Sequence, residues 1–317
     1  MHTFELASGA ADVGVAPGLG GAIVAFTLRG HPVLRPTPER ALAERNVRLS
    51  SCYPLVPWSN RIREGRLSFA GRDHVVARNF GAHPHAIHGV GWQREWQVDD
   101  VSTRSLRLTL VHHERNAAAW GWPFRATQTF ALAAPSAAAR MPIDALLTVT
   151  LTLENIGSEA FPFGLGWHPF FPKHAATELA FTADHVWEND STQLPLRRIA
   201  IPAHWCFDRS RPLDQLAFDN VFTGWHGTAT LADPLTGLRT TLAADRACRF
   251  LVVYAPHGGD FIALEPVTHE TDAFNRHAQG AASTGFRTLA PGAAFSCTMR
   301  VAASAPDRPA TPAQSGR

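Results

Sequence analysis

The chain has little of what marks most specialised protein classes. Cys52, Cys206, Cys248 and Cys297 are its four cysteines in 317 residues, and no two form a C-x-x-C pair. Such scattered thiols do not build a disulfide framework and fit a reducing compartment. Charge is light at 18% of residues, and 29 basic against 27 acidic side chains leave a net +2 with no basic block. Neither nucleic acid nor a membrane surface is therefore expected as a partner. No apolar run reaches the ~18 residues of a spanning helix. The opening MHTFELASGAADVGV lacks a basic segment followed by an apolar one, as a secretory signal would have. The expectation is a cytoplasmic protein, monomeric or homodimeric.

Helical patterns are scarce too. TPERALAERNV (37–47) has room for two turns. Strand signals are common. In LLTVTLTLEN (146–155), Val149, Leu151 and Leu153 alternate with threonines, the period of a half-buried strand. SLRLTLVHH (105–113) alternates likewise, and FRATQTFALA and CRFLVVYAP add short strands. RLSFAGRDHVV and GTATLADPLTGLRTTLAA read as hairpins, the second turning at DPLTG. The 24 glycines and 23 prolines are spread along the chain, and no composition shift or fixed-period repeat marks a boundary. The fold expected is all-β: one large antiparallel sandwich over 1–303 with few short helices. The Pro/Ala/Ser-rich stretch 304–317 is expected to be a disordered tail.

Four places carry candidate chemistry. PFGLGWHPFFP (162–172) sets His168 in an uncharged apolar run, as a satisfied core histidine or a proton donor in a pocket. FIALEPVTHETDAFN (261–275) reads as a buried strand ending at Glu265, before Pro266. A carboxylate there is a paired structural ion or a base whose pKa burial raises. VPWSNRIREGRLSF (56–69) brings Asn60 and Arg61 after Trp58, a guanidinium suited to sugar hydroxyls or an anion, while Arg63 and Arg66 read as a solvated turn. HPHAIHGVGWQREW (83–96) holds His83, His85 and His88. Metal ligation by these three is disfavoured, because no Cys, Asp or Glu lies nearby at ligand spacing. His88, before Gly89 and Gly91-Trp92, reads as a ligand-facing loop position.

Taken together, NRIREGRLSFAGR, HAIHGVGW, GLGWHPFF, FDNVF and ALEPVTH…AFN, in this order, resemble the aldose 1-epimerase (galactose mutarotase) family. The resemblance implies a β-supersandwich with the sugar in a cleft on one face, and no metal or cofactor. It implies Glu265 as general base on the anomeric hydroxyl and His168 as general acid on the ring oxygen. His88 resembles the family's second histidine near that oxygen, Arg61 its hydroxyl-binding arginine, and Asp219 the aspartate gripping distal hydroxyls. Asn60, Trp58, Trp92 and Trp167 are further pocket candidates, since tryptophan stacks on sugar faces. Phe170 stands where the family has a tyrosine, the paired aspartates are Asp219-Asn220, and the His88 motif is shorter than the Gly-rich form.

The expected activity is interconversion of the α and β anomers of an aldose such as galactose or glucose. One alternative is a hexose-6-phosphate 1-epimerase, with Arg61, Arg63 and Arg66 on the phosphate. Others are a non-catalytic sugar-binding protein on the same fold, for which an acid–base pair is superfluous, and a metal-dependent isomerase using the 83–88 histidines.

Overall fold

The alternating segments form strands. The computed structural model describes residues 1–113, 116–133, 143–213 and 216–306. Strands Ser105–His112, Phe124–Ala133, Ala145–Asn155 and Ala294–Ser304 pair antiparallel in that order. They are the centre of a nine-stranded sheet. Leu147, Val149, Leu151 and Leu153 are fully buried while the threonines between them are half-exposed. One face of this sheet is dry and the other wet, which is why its period of two is so clear.

A second sheet, of eleven strands, contains Ala22–Leu28, Cys52–Leu55, Gly166–Pro172, Phe261–Val267, Phe250–Ala255 and Phe218–Thr223 as consecutive neighbours. Both of its faces are covered. Trp167, Phe171, Val253 and Leu264 share one apolar cluster with Leu108, Phe130, Leu151 and Val301 of the nine-stranded sheet. Tyr53, Leu55, Phe170, Val252 and Ala263 form a second cluster on the opposite face, beneath Ile87 and Trp92 from the loops. Successive side chains point to opposite faces, so each central strand feeds the sandwich interior and the loop-covered face alternately.

Three local expectations are corrected. The 37–47 helix is a single short one, Glu39–Ala43, followed by a 3-10 turn at Val47–Leu49. Arg45 takes a φ of 53° between them, which no helix continues. A helix at Ala273–Ala278 follows the strand of Glu265. Glu265 does not end its strand, which runs through Pro266 to Val267. In the proposed 304–317 tail, Ser304 still belongs to the last strand, and 307–317 lie outside the described residues. Among the described residues no helix is long and apolar enough to cross a membrane.

Two glycines of PFGLGWHPFFP are required by close packing. A Cβ on Gly164 would lie 1.7 Å from His269 Cδ2, and one on Gly166 would lie 2.7 Å from the Pro266 carbonyl oxygen. His269 is itself fixed, accepting from the Ser59 amide at Nε2 and donating from Nδ1 to the Glu270 carbonyl.

Candidate active site

Strand register joins the two groups that lie about a hundred residues apart in sequence. Gly166 pairs with Val267 and Phe170 with Ala263, so the positions between them set His168 opposite Glu265. Both side chains leave the sheet on the loop-covered face. His168 Nε2 lies 3.1 Å from Glu265 Oε1, with both side chains almost fully buried. Pro169 and Pro266, each beside one of these groups, lack the amide hydrogen a ladder needs, and the pairing is interrupted there. His168 Nδ1 and Glu265 Oε2 are buried and have no hydrogen-bond partner among the described residues.

The loops close over this pair by a reciprocal clamp. His88 donates its amide to the Asn60 carbonyl at 3.0 Å, and Asn60 donates its amide to His88 Nδ1 at 3.1 Å. Both residues have positive φ, 52° at Asn60 and 61° at His88. Gly89 has φ 73°, and a Cβ there would lie 2.0 Å from the Val56 carbonyl oxygen, so this approach needs glycine. With Nδ1 accepting, the neutral His88 ring carries its proton on Nε2. Asn60 Oδ1 accepts from the Arg61 amide and from Arg61 Nη1, which turns the guanidinium towards Asp219. Arg61 Nη2 meets Asp219 Oδ2 at 3.2 Å, and Arg61 Nε is buried without a partner among the described residues.

Burial governs the electrostatics. It pushes the Glu265 carboxyl well above the usual carboxylate range, with Asp219 adding and Arg61 opposing. It pulls His168 down to about 3, with Arg35 and Arg61 adding. Opposite shifts on touching groups favour a pair that holds one proton between them, on the carboxyl or on the imidazole. Burial, then His168 and Arg61, hold His88 well below 6.5, so it is a neutral N–H donor.

His88, His168 and Glu265 are also close enough to chelate, with one ligand atom each within 4.8 Å of the others. Yet the His88 lone pair is engaged by the Asn60 amide, and its Nε2 presents a proton. His83 and His85 stand apart from this trio, their Nδ1 atoms accepting from the amides of His85 and Glu64 respectively.

The cleft has a volume of about 340 Å³ and is lined by Asn60, Arg61, His88, His168, Asp219 and Glu265, among others. That volume suits a small ligand. Trp167, expected beside the sugar, is the correction here. It is 1% exposed and packs between the two sheets, because the residue next to His168 in a strand faces the other way. Trp58 is likewise core, and Trp92 stacks under Tyr53 rather than lining the cleft. Arg63 and Arg66 are exposed outside the cleft, Arg63 beside Asp272, so the three-arginine phosphate site is not assembled.

Sequence reasoning missed Arg35, Arg48, Tyr53, Phe80, Tyr254 and Phe261, all of which line the cleft. One signal was present: the chain has two tyrosines, and both are here. Tyr53 packs 4.7 Å from the His168 ring, and burial, then Glu265, keep its phenol protonated far above its usual range.

The aldose 1-epimerase family model matches residues 3–302. An uncharacterised Escherichia coli K12 protein, YphB, is 32% identical over 94% of this chain and 98% of its own length. A crystal structure from E. coli K12, of a protein named for a suspected aldose 1-epimerase activity, superposes with TM-score 0.84 at 28% identity, covering 96% of this chain and 99% of that one. Galactose 1-epimerase from Lactobacillus acidophilus shares the fold, with TM-score 0.74 at 17% identity over 96% and 94% of the two chains.

Proposed function

Since the chain belongs to the aldose 1-epimerase family, we propose that it interconverts the α and β anomers of an aldose such as galactose or glucose by acid–base ring opening and closure. The observation that carries this reading is the 3.1 Å approach of His168 Nε2 to Glu265 Oε1 inside the cleft. A hemiacetal carbon bears two oxygens, and opening the ring removes a proton from one while adding a proton to the other. An acid and a base side by side, sharing one proton, match two oxygens on one carbon.

In the forward direction Glu265 accepts the proton of the anomeric hydroxyl. His168 donates to the ring oxygen, and the C1–O bond breaks to give the open aldehyde. Rotation about C1–C2 presents the other carbonyl face, and closure reverses both transfers. His88 holds the ring-oxygen side through its Nε2 proton. Arg61 and Asp219, which line the cleft, hold hydroxyls.

Polarimetry or NMR exchange between anomers of galactose and glucose tests the reading. Each positioned proton transfer is worth roughly 10²–10⁴ in rate. Glu265→Gln and His168→Asn should each lose about that factor above the spontaneous background. Wild-type rates in both variants would overturn the mechanism.

A further inference from the structure

Three arginines line the cleft, and the chemistry above uses one of them. Arg61 is matched by Asp219. Arg35 and Arg48 make no ion pair with a carboxylate among the described residues. Asp260, exposed, is the carboxylate whose charge acts on Arg35.

Arg35 is held as a fixed cation. Its guanidinium lies 3.9 Å from the Phe170 ring centre and 4.6 Å from that of Phe261. Nη2 donates to the carbonyls of Arg48 and Ser50, while Nε is buried with no partner. Among the described residues Nη1 has no hydrogen-bond partner either. Arg48 stacks on Phe80 at 4.9 Å. Planar cations presented on aromatic faces, with donors to spare, are suited to a carboxylate or a phosphate. A neutral hexose has no charge for them to meet.

Their position in the cleft is also informative. Arg35 packs on Phe170, whose ring also stacks on that of His168 at 4.3 Å and meets Tyr53 and Phe261. His168 serves the ring oxygen, so Arg35 flanks that side of the sugar, where a hexose carries its sixth carbon. Resting on the anomer-interconverting reading, we propose that the preferred aldose bears an anionic group, a carboxylate or a phosphate, on its ring-oxygen side, held by Arg35 and Arg48. This differs from a phosphate site at Arg61, Arg63 and Arg66, two of which face solvent.

The test compares kcat/KM above spontaneous background for glucose, glucuronate and glucose 6-phosphate at low ionic strength. Charge-assisted hydrogen bonds of this kind predict a preference of roughly ten- to a hundredfold for an anionic sugar over glucose. The glucuronate and phosphate arms tell which anion it is. The preference should fall at least about tenfold in Arg48→Gln, whose side chain is exposed, and in Arg35→Gln, and should weaken with added salt. A merely structural role for the two arginines would leave the ratio unmoved. Equal rates for glucose and both anionic sugars, or a preference that survives both substitutions, overturn the proposal and leave the anomer-interconverting reading standing. No catalysed exchange with any of the three sugars would sink that reading instead, and this proposal with it.

Discussion

His269→Gln tests whether the ground under the cleft behaves as the structure requires. His269 is 2% exposed and supports the segment carrying Asn60 and Arg61, because its Nε2 accepts from the Ser59 amide at 3.1 Å. Burial lowers its pKa from 6.5 to about 4, with the hydrogen bond to the Glu270 carbonyl opposing. A histidine depressed in the folded state contributes stability that is fully present above pH 6.5. It is lost as pH falls, because the unfolded chain takes up the proton first. Between pH 6.5 and about 4 the loss is close to 2.5 pKa units, or about 3 kcal/mol at 1.36 kcal/mol per unit. At pH 7 the glutamine variant should be less stable than wild type by roughly 1–3 kcal/mol, the cost of disturbing a buried hydrogen-bond pair. That deficit should shrink by about 3 kcal/mol at pH 4, and so vanish or reverse. Urea unfolding followed by tryptophan fluorescence at several pH values gives the difference directly, with contributions from the other buried histidines cancelling. A wild-type-minus-variant difference that stays constant from pH 7 to pH 4 would refute the argument.

Glu265→Gln should raise stability while it lowers activity. The carboxyl is raised well above its usual range by burial, so its stabilising contribution is complete at low pH and is lost as pH climbs through the folded value. The variant's advantage should therefore be absent near pH 4 and grow towards pH 9 in unfolding titrations. The pH profile of kcat/KM should be bell-shaped, its alkaline limb above the usual carboxylate range. Asp219→Asn should move that limb to lower pH, since Asp219 raises Glu265 and its loss also frees the opposing Arg61 charge. Trp167→Phe should leave KM within about twofold and cost less than about 2 kcal/mol, because Trp167 contacts the interior and its indole N–H is buried without a partner. A tenfold rise in KM would return it to the cleft.

The difference between what the sequence revealed and what it hid follows from burial. Strand Ala145–Asn155 was legible because its threonines face water and its aliphatics do not. Strands Gly166–Pro172 and Phe261–Val267 lie in the middle of a sheet covered on both faces, so they show no polar alternation. Without a period, nothing in PFGLGWHPFFP says that Trp167 and His168 point opposite ways, or that Glu265 continues its strand. His168, His88, Arg61 and Glu265 stood out by residue type and apolar setting, and Asp219 through a motif that resembles a family. Their meeting rests on register between segments about a hundred residues apart, which no local pattern encodes. Arg35 sits in a loop and acts only through what Phe170 and Phe261 bring beside it.

The cleft also explains why such an awkward arrangement lies at the middle of the sheet. On its central strands, Glu265 Oε2 and His168 Nδ1 are buried without partners among the described residues, and each orphaned polar atom costs roughly 1–3 kcal/mol. A loop could relax until water reached those atoms. A central strand cannot, because its neighbours on both sides fix its register, and Gly164 and Gly166 leave those neighbours no room to shift. The clamp between Asn60 and His88 adds the same restraint from above, through one backbone bond and one bond from the Asn60 amide to the His88 ring. Rigidity of this kind keeps the acid and base at contact distance with their outer lone pairs unspent. On the proposed reading, a sugar's two anomeric oxygens would meet groups whose orientation was fixed during folding.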